Sequence, residues 1–259
     1  MSDGAARRYA MGKTVGCMYG LGTVINVAAI VIGGVIGMLF GKFLGERHRD
    51  ILSKACGLSV IFIGVGGALK GMMTVSDGSI TVRGEFLLIG CLTLGGLIGE
   101  AIDIEGAFER FGGWLKRKTH STGDASFIEG FVTASFTVCI GAMAIVGSLN
   151  DGLLGDITVL VTKSILDLII IMVMAASLGK GTIFSAIPVA ILQGGVTALS
   201  VLIRPIMTER ALLCLSVVGS VLIFCVGINL VFGKRIKVAN LLPSILLAVL
   251  CAFLPWRLI

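Results

Sequence analysis

Apolar runs of roughly twenty residues follow one another along almost the whole chain, and nothing constrains its fold more. They lie near residues 22–44, 56–75, 84–102, 127–148, 157–178, 183–203, 211–232 and 238–256. A helix needs about 20 apolar residues to cross a hydrocarbon core. No water is available there to hydrogen-bond a bare backbone, so each run is expected to be a helix. Mean hydropathy is +1.04 and only 14% of residues are charged, against about 25% in soluble domains. The expected fold is therefore all-α: a polytopic integral membrane protein with about eight transmembrane helices. The 259 residues leave no room for a large soluble domain beside it. Residues 18–259 read as one transmembrane domain. Residues 1–17 read as a polar N-terminal extension, expected to be disordered and set aside from the fold; an upstream start codon would produce the same pattern.

Basic residues set the expected orientation. Lys42, Arg47, Arg49 and Lys54, then Arg110, Lys116, Arg117 and Lys118, then Lys180, then Lys234, Arg235 and Lys237 fall in alternate loops. The opposite loops carry only Lys70, Arg83, Arg204, Arg210 and Arg257. The positive-inside rule then places loops 45–55, 103–126, 179–182 and 233–238 in the cytoplasm. The net charge of +6 is accounted for by these juxtamembrane positions and by anionic lipid, so no nucleic-acid partner is expected. In the longest loop, Ile104, Ala107, Phe108, Phe111 and Leu115 share one helical stripe beside Trp114 and a basic cluster. That pattern predicts an interfacial helix, or a docking site for a partner.

Glycine is abundant, with 37 residues. Gly33, Gly37, Gly41 and Gly45 form a small-xxx-small ridge, suited to tight internal packing or to a homodimer face, and a homo-oligomer is one expected partner. Internal similarity is also present. Cys139-Ile140-Gly141 followed by Gly147 matches Cys225-Val226-Gly227 followed by Gly233, and Gly22-Thr23-Val24 with Gly33-Gly34 resembles Gly181-Thr182-Ile183 with Gly194-Gly195. An expected three-plus-three inverted repeat relates the third to fifth runs to the sixth to eighth, an architecture common among secondary transporters.

Charge at membrane depth costs at least about 2.5–3.5 kcal/mol and is kept with a partner or a purpose. Lys163 and Asp167 stand four apart on the fifth run and share a helix face. They form either a self-contained ion pair or a pair that opens to a solute or proton, with Asp167 near the midplane. Gln193 lies in the sixth run between Pro188 and Gly194-Gly195, where a kinked or broken helix is expected. Thr133 and Thr137 line one side of the fourth run, and Glu129 sits at its edge as a gate residue or an interfacial charge. Asn229 and Asn240 lie near span ends, as does Asn26. Each reads as a hydrogen-bond anchor or as a ligand, and Asn229 and Asn240 are taken into the candidate pathway with the residues above.

Other chemistry is poorly supplied. The seven cysteines include no Cys-x-x-Cys pair and lie mostly in apolar runs, as small buried hydrophobes do. His48 and His120 are the only imidazoles. No metal site, cofactor or enzyme activity is expected, and no Walker A loop, dinucleotide fingerprint or His-Glu-x-x-His is found.

Several strings, in order, carry a family resemblance: Gly22-Thr-Val-Ile-Asn26-Val, Gly95-Gly-Leu-Ile-Gly-Glu100 with Asp103-Ile-Glu-Gly, Phe127-Ile-Glu-Gly-Phe-Val-Thr-Ala-Ser135, Gly141-Ala-Met-Ala-Ile-Val-Gly-Ser148, Lys163-Ser-Ile-Leu-Asp167, Gln193-Gly-Gly and Lys237-Val-Ala-Asn-Leu-Leu-Pro243. From Met18 onward the chain resembles the bacterial membrane-protein family typified by YqgA and YdfK, a domain-of-unknown-function group often labelled as transport proteins. The resemblance implies a multi-pass protein of the bacterial inner membrane and leaves the substrate open. The N-terminal extension is the main departure. Taken with the polar residues at depth, the expected function is a secondary transporter or channel-like permease for a small polar or ionic solute. The alternative is a non-transporting membrane scaffold or partner-binding protein.

Overall fold

A computed structural model describes residues 19–76, 79–121, 125–140 and 142–253; the extension over 1–17 lies outside them. The helices are α1 (Leu21–Gly41), α2 (Glu46–Met72), α3 (Glu85–Ile102), α4 (Ile104–Lys118), α5 (Phe127–Cys139), α6 (Ala142–Leu154) and α7 (Thr158–Leu178). A 3-10 turn over Lys180–Ser185 then runs into α8 (Ala186–Ala198), followed by the single turn α9 (Ser200–Ile203) and by α10 (Glu209–Phe232). A second 3-10 turn, Val238–Leu241, leads into α11 (Pro243–Cys251).

Six of these segments are long and apolar enough to cross a membrane: α1, α2, α3, α7, the continuous stretch Lys180–Ala198, and α10. The helices α5 and α6 are bent by 61° across a short break, and counting that pair as one crossing raises the total among the described residues to seven. Val238–Cys251 is a shorter apolar segment. The helical membrane architecture expected from the apolar runs is thus present.

Two local features depart from the sequence expectation. Beyond α2, Met73–Ser76 (β1) and Ser79–Val82 (β2) pair as antiparallel strands, Met73 opposite Val82 and Ser76 opposite Ser79. Both segments are rich in β-branched residues and polar alternation, which suit a strand once the chain leaves the apolar run. The sixth run is also less disrupted than its Pro188 and Gly194-Gly195 suggest. Pro188 falls in the first turn of α8, where its missing N–H costs nothing, and α8 continues through both glycines. The break occurs instead in the fourth run, where the backbone turns extended at Ile140.

Glycine decides how the helices meet. The most extensive contacts are α1 with α7 and α2 with α10. Gly22, Gly33, Gly37 and Gly41 face Leu160, Leu168, Met172 and Ala176 in turn, so α1 and α7 run parallel. A Cβ at Gly41 would lie 2.9 Å from the Ala176 carbonyl oxygen. The ridge noted in the sequence therefore packs within the chain as far as Gly41; Gly45 lies beyond α1, with only His48 Nδ1 near it, at 3.9 Å. Gly57, Gly64 and Gly71 meet Gly227, Ser220 and Val217, which makes α2 and α10 antiparallel. Gly95 and Gly99 meet Ser244 and Asn240, and α3 and α11 are antiparallel as well. Backbone contact of this kind supplies the dispersion energy that apolar burial cannot supply between helices in lipid. The outward faces carry large exposed apolar side chains such as Phe62, Phe86 and Val201, as lipid contact requires.

The helix ends at one side are tied by polar groups. Asp103, at φ 55, ends α3 and opens α4, where its carboxylate accepts from the Gly106 N–H at 3.1 Å and from Arg110 at 3.0 Å. Hydrogen bonding from Arg110, and then from the Gly106 amide, holds the Asp103 carboxyl below its usual range. The helix α4 is amphipathic, as its stripe predicts. Ile104, Phe108 and Leu115 join the core, and Phe111 stacks on Trp114 and tilts against Phe131.

Two neighbouring glycines of α2 test the packing argument with opposite signs. A Cβ at Gly64 would lie 2.6 Å from the Phe224 backbone nitrogen and 2.8 Å from the Ser220 carbonyl oxygen, while nothing lies near Gly66. Gly64→Ala is expected to destabilise the protein by about 1–3 kcal/mol through overpacking. Gly66→Ala is expected to be neutral or to stabilise by up to about 1 kcal/mol through helix propensity. Thermal unfolding of the two purified variants in one detergent checks the ordering.

Candidate functional site

The approach of α1 on α7 brings four polar side chains together at mid-depth. Asp167 is the tenth of the 21 residues of α7, about 14 Å from its start at 1.5 Å per residue. Lys163 lies one turn earlier on the same face. Its ammonium donates to Asp167 Oδ2 and, at 2.8 Å, to the carbonyl oxygen of Val138. The second bond follows from the break in the fourth run. Ile140 is extended, so the carbonyls at the end of α5 have no helical N–H to receive, and the lysine caps one of them.

From α1, the Asn26 Nδ2 group donates to Asp167 Oδ2 at 3.0 Å and to Gln193 Oε1 of α8 at 3.3 Å. Asn26, Lys163, Asp167 and Gln193 are all at least nine-tenths buried. Two polar atoms of this network have no hydrogen-bond partner, Asn26 Oδ1 and Gln193 Nε2. The amide orientations are set by the network. An ionised carboxylate only accepts, so Asn26 must turn its NH₂ to Asp167, and Gln193 must then turn its oxygen to that NH₂.

Two further polar groups position these elements. Asp151, fully buried near the end of α6, accepts from the Gly20 and Gly22 N–H groups, both at 3.0 Å. A carboxylate at a helix N-terminus satisfies orphan amides and complements the helix dipole, and it fixes the start of α1 to α6. The Thr197 hydroxyl donates to the Ser148 carbonyl at 3.2 Å and ties α8 to α6.

A separate cavity of about 520 Å³ opens between α4, α5 and the end of α10. Glu105, Glu109, Glu129, Thr133, Asn229 and Lys234 supply its polar wall. Lys234 pairs with Glu109 and, at 3.1 Å, with Glu105. Partial burial favours the neutral amine, but the hydrogen bonds to Glu109 and Glu105 outweigh it and raise the Lys234 pKa above 10.5. Phe136 also lines this cavity, two residues before Val138 on α5. Lys163, Asp167 and Gln193 do not line it.

Residues 21–253 match the family described as a protein of unknown function, DUF554. The chain belongs to this family. It is 28% identical over 226 residues to the "Uncharacterized membrane protein YdfK" of Bacillus subtilis (strain 168), covering 87% of this chain and 93% of that one. It is 29% identical over 232 residues to the "Uncharacterized protein YqgA" of Escherichia coli (strain K12), covering 88% and 94%. No solved structure matches it. The resemblance noted from the sequence strings is therefore correct, and the chain is a membrane protein of the DUF554 family.

In this DUF554 member the sequence-selected residues fall into three groups. Lys163, Asp167 and Gln193 meet in the buried network. Glu129, Thr133 and Asn229 line the cavity, apart from it. Thr137 turns its hydroxyl back to the Thr133 carbonyl at 2.8 Å. Asn229 holds the loop after α10, donating to the Ile236 carbonyl at 2.7 Å and accepting from the Arg235 and Ile236 N–H groups at 2.9 Å. Asn240 accepts from the Glu105 N–H at 2.7 Å and donates to Glu100 at 2.6 Å.

Two buried residues stand outside the pathway drawn from the sequence. Asn26 passed for a span-end anchor, although it stands a turn and a half inside α1 within the string Gly22-Thr-Val-Ile-Asn26. Asp151 was not singled out, because its partners are backbone amides that no sequence pattern displays.

Removing one partner of a buried ion pair strands the other. Lys163→Ala is expected to cost about 3–5 kcal/mol, while Lys163→Met with Asp167→Leu recovers most of it. Chemical unfolding of both variants in sodium-free buffer measures the difference.

The Lys234 clamp gives a pH dependence. Its folded pKa is raised, so its contribution is complete below the unfolded value of 10.5 and is lost as pH rises through the folded one. In a Trp256→Phe background, Trp114 emission on α4 is expected to stay constant from neutrality to pH about 10 and to shift above that. Lys234→Ala is expected to abolish the alkaline transition.

Proposed function

We propose that this protein is a secondary transporter or channel-like permease, not an enzyme, for a small polar or ionic solute across the bacterial inner membrane. One observation carries the reading. An ion pair and two amides are kept at mid-depth beside a broken helix, with one acceptor and one donor unsatisfied. A purely structural polar network in oil satisfies all its members, since each buried orphan costs about 1–3 kcal/mol. An unpartnered donor and acceptor beside a broken helix are groups that a polar ligand at the membrane midplane can satisfy.

In this reading Asp167 is the protonatable or cation-binding group and Lys163 its counter-ion, with Gln193 as a neutral ligand. The cavity bearing Glu129, Thr133 and Asn229 is the cytoplasmic vestibule. Phe136 lines that vestibule two residues before Val138, whose carbonyl holds the Lys163 ammonium. The finer topology belongs to the same reading. The α5–α6 pair counts as one crossing and Val238–Cys251 as the eighth, with loops 45–55, 103–126, 179–182 and 233–238 inside. The parallel run of α1 with α7, and the antiparallel runs of α2 with α10 and α3 with α11, are compatible with that count. In the same reading an inverted repeat relates the third to fifth spans to the sixth to eighth.

The scaffold reading also has an observation in its favour: the four network side chains touch one another and are closed off from the cavity. Uptake separates the two. Proteoliposomes bearing the protein are exposed to a pool of isotope-labelled small metabolites, and the entrapped solutes are identified by mass spectrometry. The transport reading expects at least one solute to enrich over empty liposomes. It also expects Asp167→Asn and Gln193→Ala to lower that uptake by about tenfold or more, the equivalent of one lost hydrogen bond to a charged group. Unchanged uptake in both variants, or no enrichment by the wild type, favours the scaffold.

A further inference from the structure

We propose that the Lys163 ammonium occupies the place of an alkali cation, and that this cation enters only together with a small monoanionic solute that takes over Lys163 and Gln193. The inference deepens the transport reading and rests on it for the coupling; the cation site itself rests on the geometry of the network.

The surroundings of the ammonium are those of a metal cation. Lys163 Nζ lies against the Asp167 carboxylate and the Val138 carbonyl oxygen. That carbonyl stands at the C-terminal end of a half-helix, where unpaired carbonyls carry partial negative charge. The unpartnered Asn26 Oδ1 is not bonded to the ammonium; it belongs to the amide whose Nδ2 holds Asp167. The two groups that hold the ammonium are oxygen donors, the kind of ligand hard cations take, with the Cys139 thiol nearby. They carry one formal negative charge, which matches a monovalent ion. A carbonyl at an interrupted helix beside a carboxylate is also how transporters hold sodium at the midplane.

The two orphan atoms divide the ligands between them. Asn26 Oδ1 is an acceptor without a donor, on the amide that holds Asp167, and suits a cation bound at that carboxylate. Gln193 Nε2 is a donor without an acceptor and is satisfied by an anion. Charge balance then couples the two events. With Lys163 on Asp167 the site is neutral. A cation on Asp167 alone leaves a displaced ammonium and a net positive charge at mid-depth, and an anion on Lys163 alone strands the carboxylate. Each half-loaded state carries the cost of an uncompensated charge in the membrane, and only joint loading is neutral. The expected stoichiometry is one cation to one monoanion, with no net charge moved.

The test uses the sulfate salts of sodium and of choline, neither of which supplies a monoanion, and reads Tm. Lys163→Met removes the tethered cation and leaves Asp167 to sodium. Its Tm is expected to rise by several degrees in sodium over choline. The wild type is expected to show no such rise, because its own ammonium holds the place. Lys163→Met with Asp167→Asn is expected to lose the response. If Lys163→Met cannot be purified, Lys163→His replaces it. That variant is purified at acid pH with the pair intact and then moved to alkaline pH, where the imidazole is neutral and sodium is expected to stabilise it. No sodium response in either variant, or an equal one in the wild type, overturns the cation site.

The uptake assay tests the coupling separately. Uptake that needs sodium and ignores an imposed potassium-diffusion potential supports it. Uptake that persists in choline, or that follows the potential, overturns the coupling and leaves the transport reading standing. No uptake beside a sodium-responsive Lys163→Met sinks the transport reading and the coupling, and upholds the cation site.

Discussion

In hydrocarbon, helices gain nothing by burying apolar surface against one another, so the fold depends on how closely their backbones approach. The contact of α1 with α7 is the clearest instance. Glycines at 22, 33, 37 and 41 leave α7 free to lie directly on the α1 backbone, and a methyl group at any of the four would strike Leu160, Leu168, Met172 or Ala176. Asp151 adds a polar pin at one end of the same pair, holding the Gly20 and Gly22 amides. The parallel run of the two helices, and with it the depth at which their polar residues meet, follows from that contact.

The candidate site is a consequence of this approach. Asn26 reaches Asp167 because α1 lies against α7, and Gln193 joins them because α8 packs against α1. Lys163 is drawn to a different feature, the interruption after Cys139, where the lost helical bonds of α5 leave a carbonyl for its ammonium. A charge pair that would otherwise have been an intrahelical i,i+4 contact therefore ties a continuous helix to a broken one. The second polar region, around Lys234, is built on other principles. There a helix-end lysine bridges two glutamates of α4 at partial exposure, and it fixes an amphipathic helix against the bundle.

Much of this was legible in the residues. The apolar runs mark the long helices because the membrane leaves the backbone no other solution. Lys163 and Asp167 stood out as a pair because four residues of spacing put them on one face, and the stripe of α4 was visible for the same reason. The break was harder to locate. Proline and a glycine pair pointed to the sixth run, but proline is harmless in a first helical turn and glycine merely weakens a helix whose neighbours still hold it. The fourth run, which has glycines but no proline, bends at Ile140, where the Lys163 ammonium takes the Val138 carbonyl.

Sequence alone determined the solvent, the helical class and the presence of an ion pair at depth, because each depends on local composition or on spacing along one helix, and the DUF554 kinship, because the match runs along residues 21–253. Tertiary structure alone decided which polar residues share a site. It joined Asn26 and Gln193 to the pair across 141 and 26 residues of chain measured from Asp167, set Glu129, Thr133 and Asn229 apart from them, and left Asn26 Oδ1 and Gln193 Nε2 without partners. The reason is physical: glycine permits close approach without naming the partner, and the choice among helices is made by backbone contacts between segments far apart in the chain.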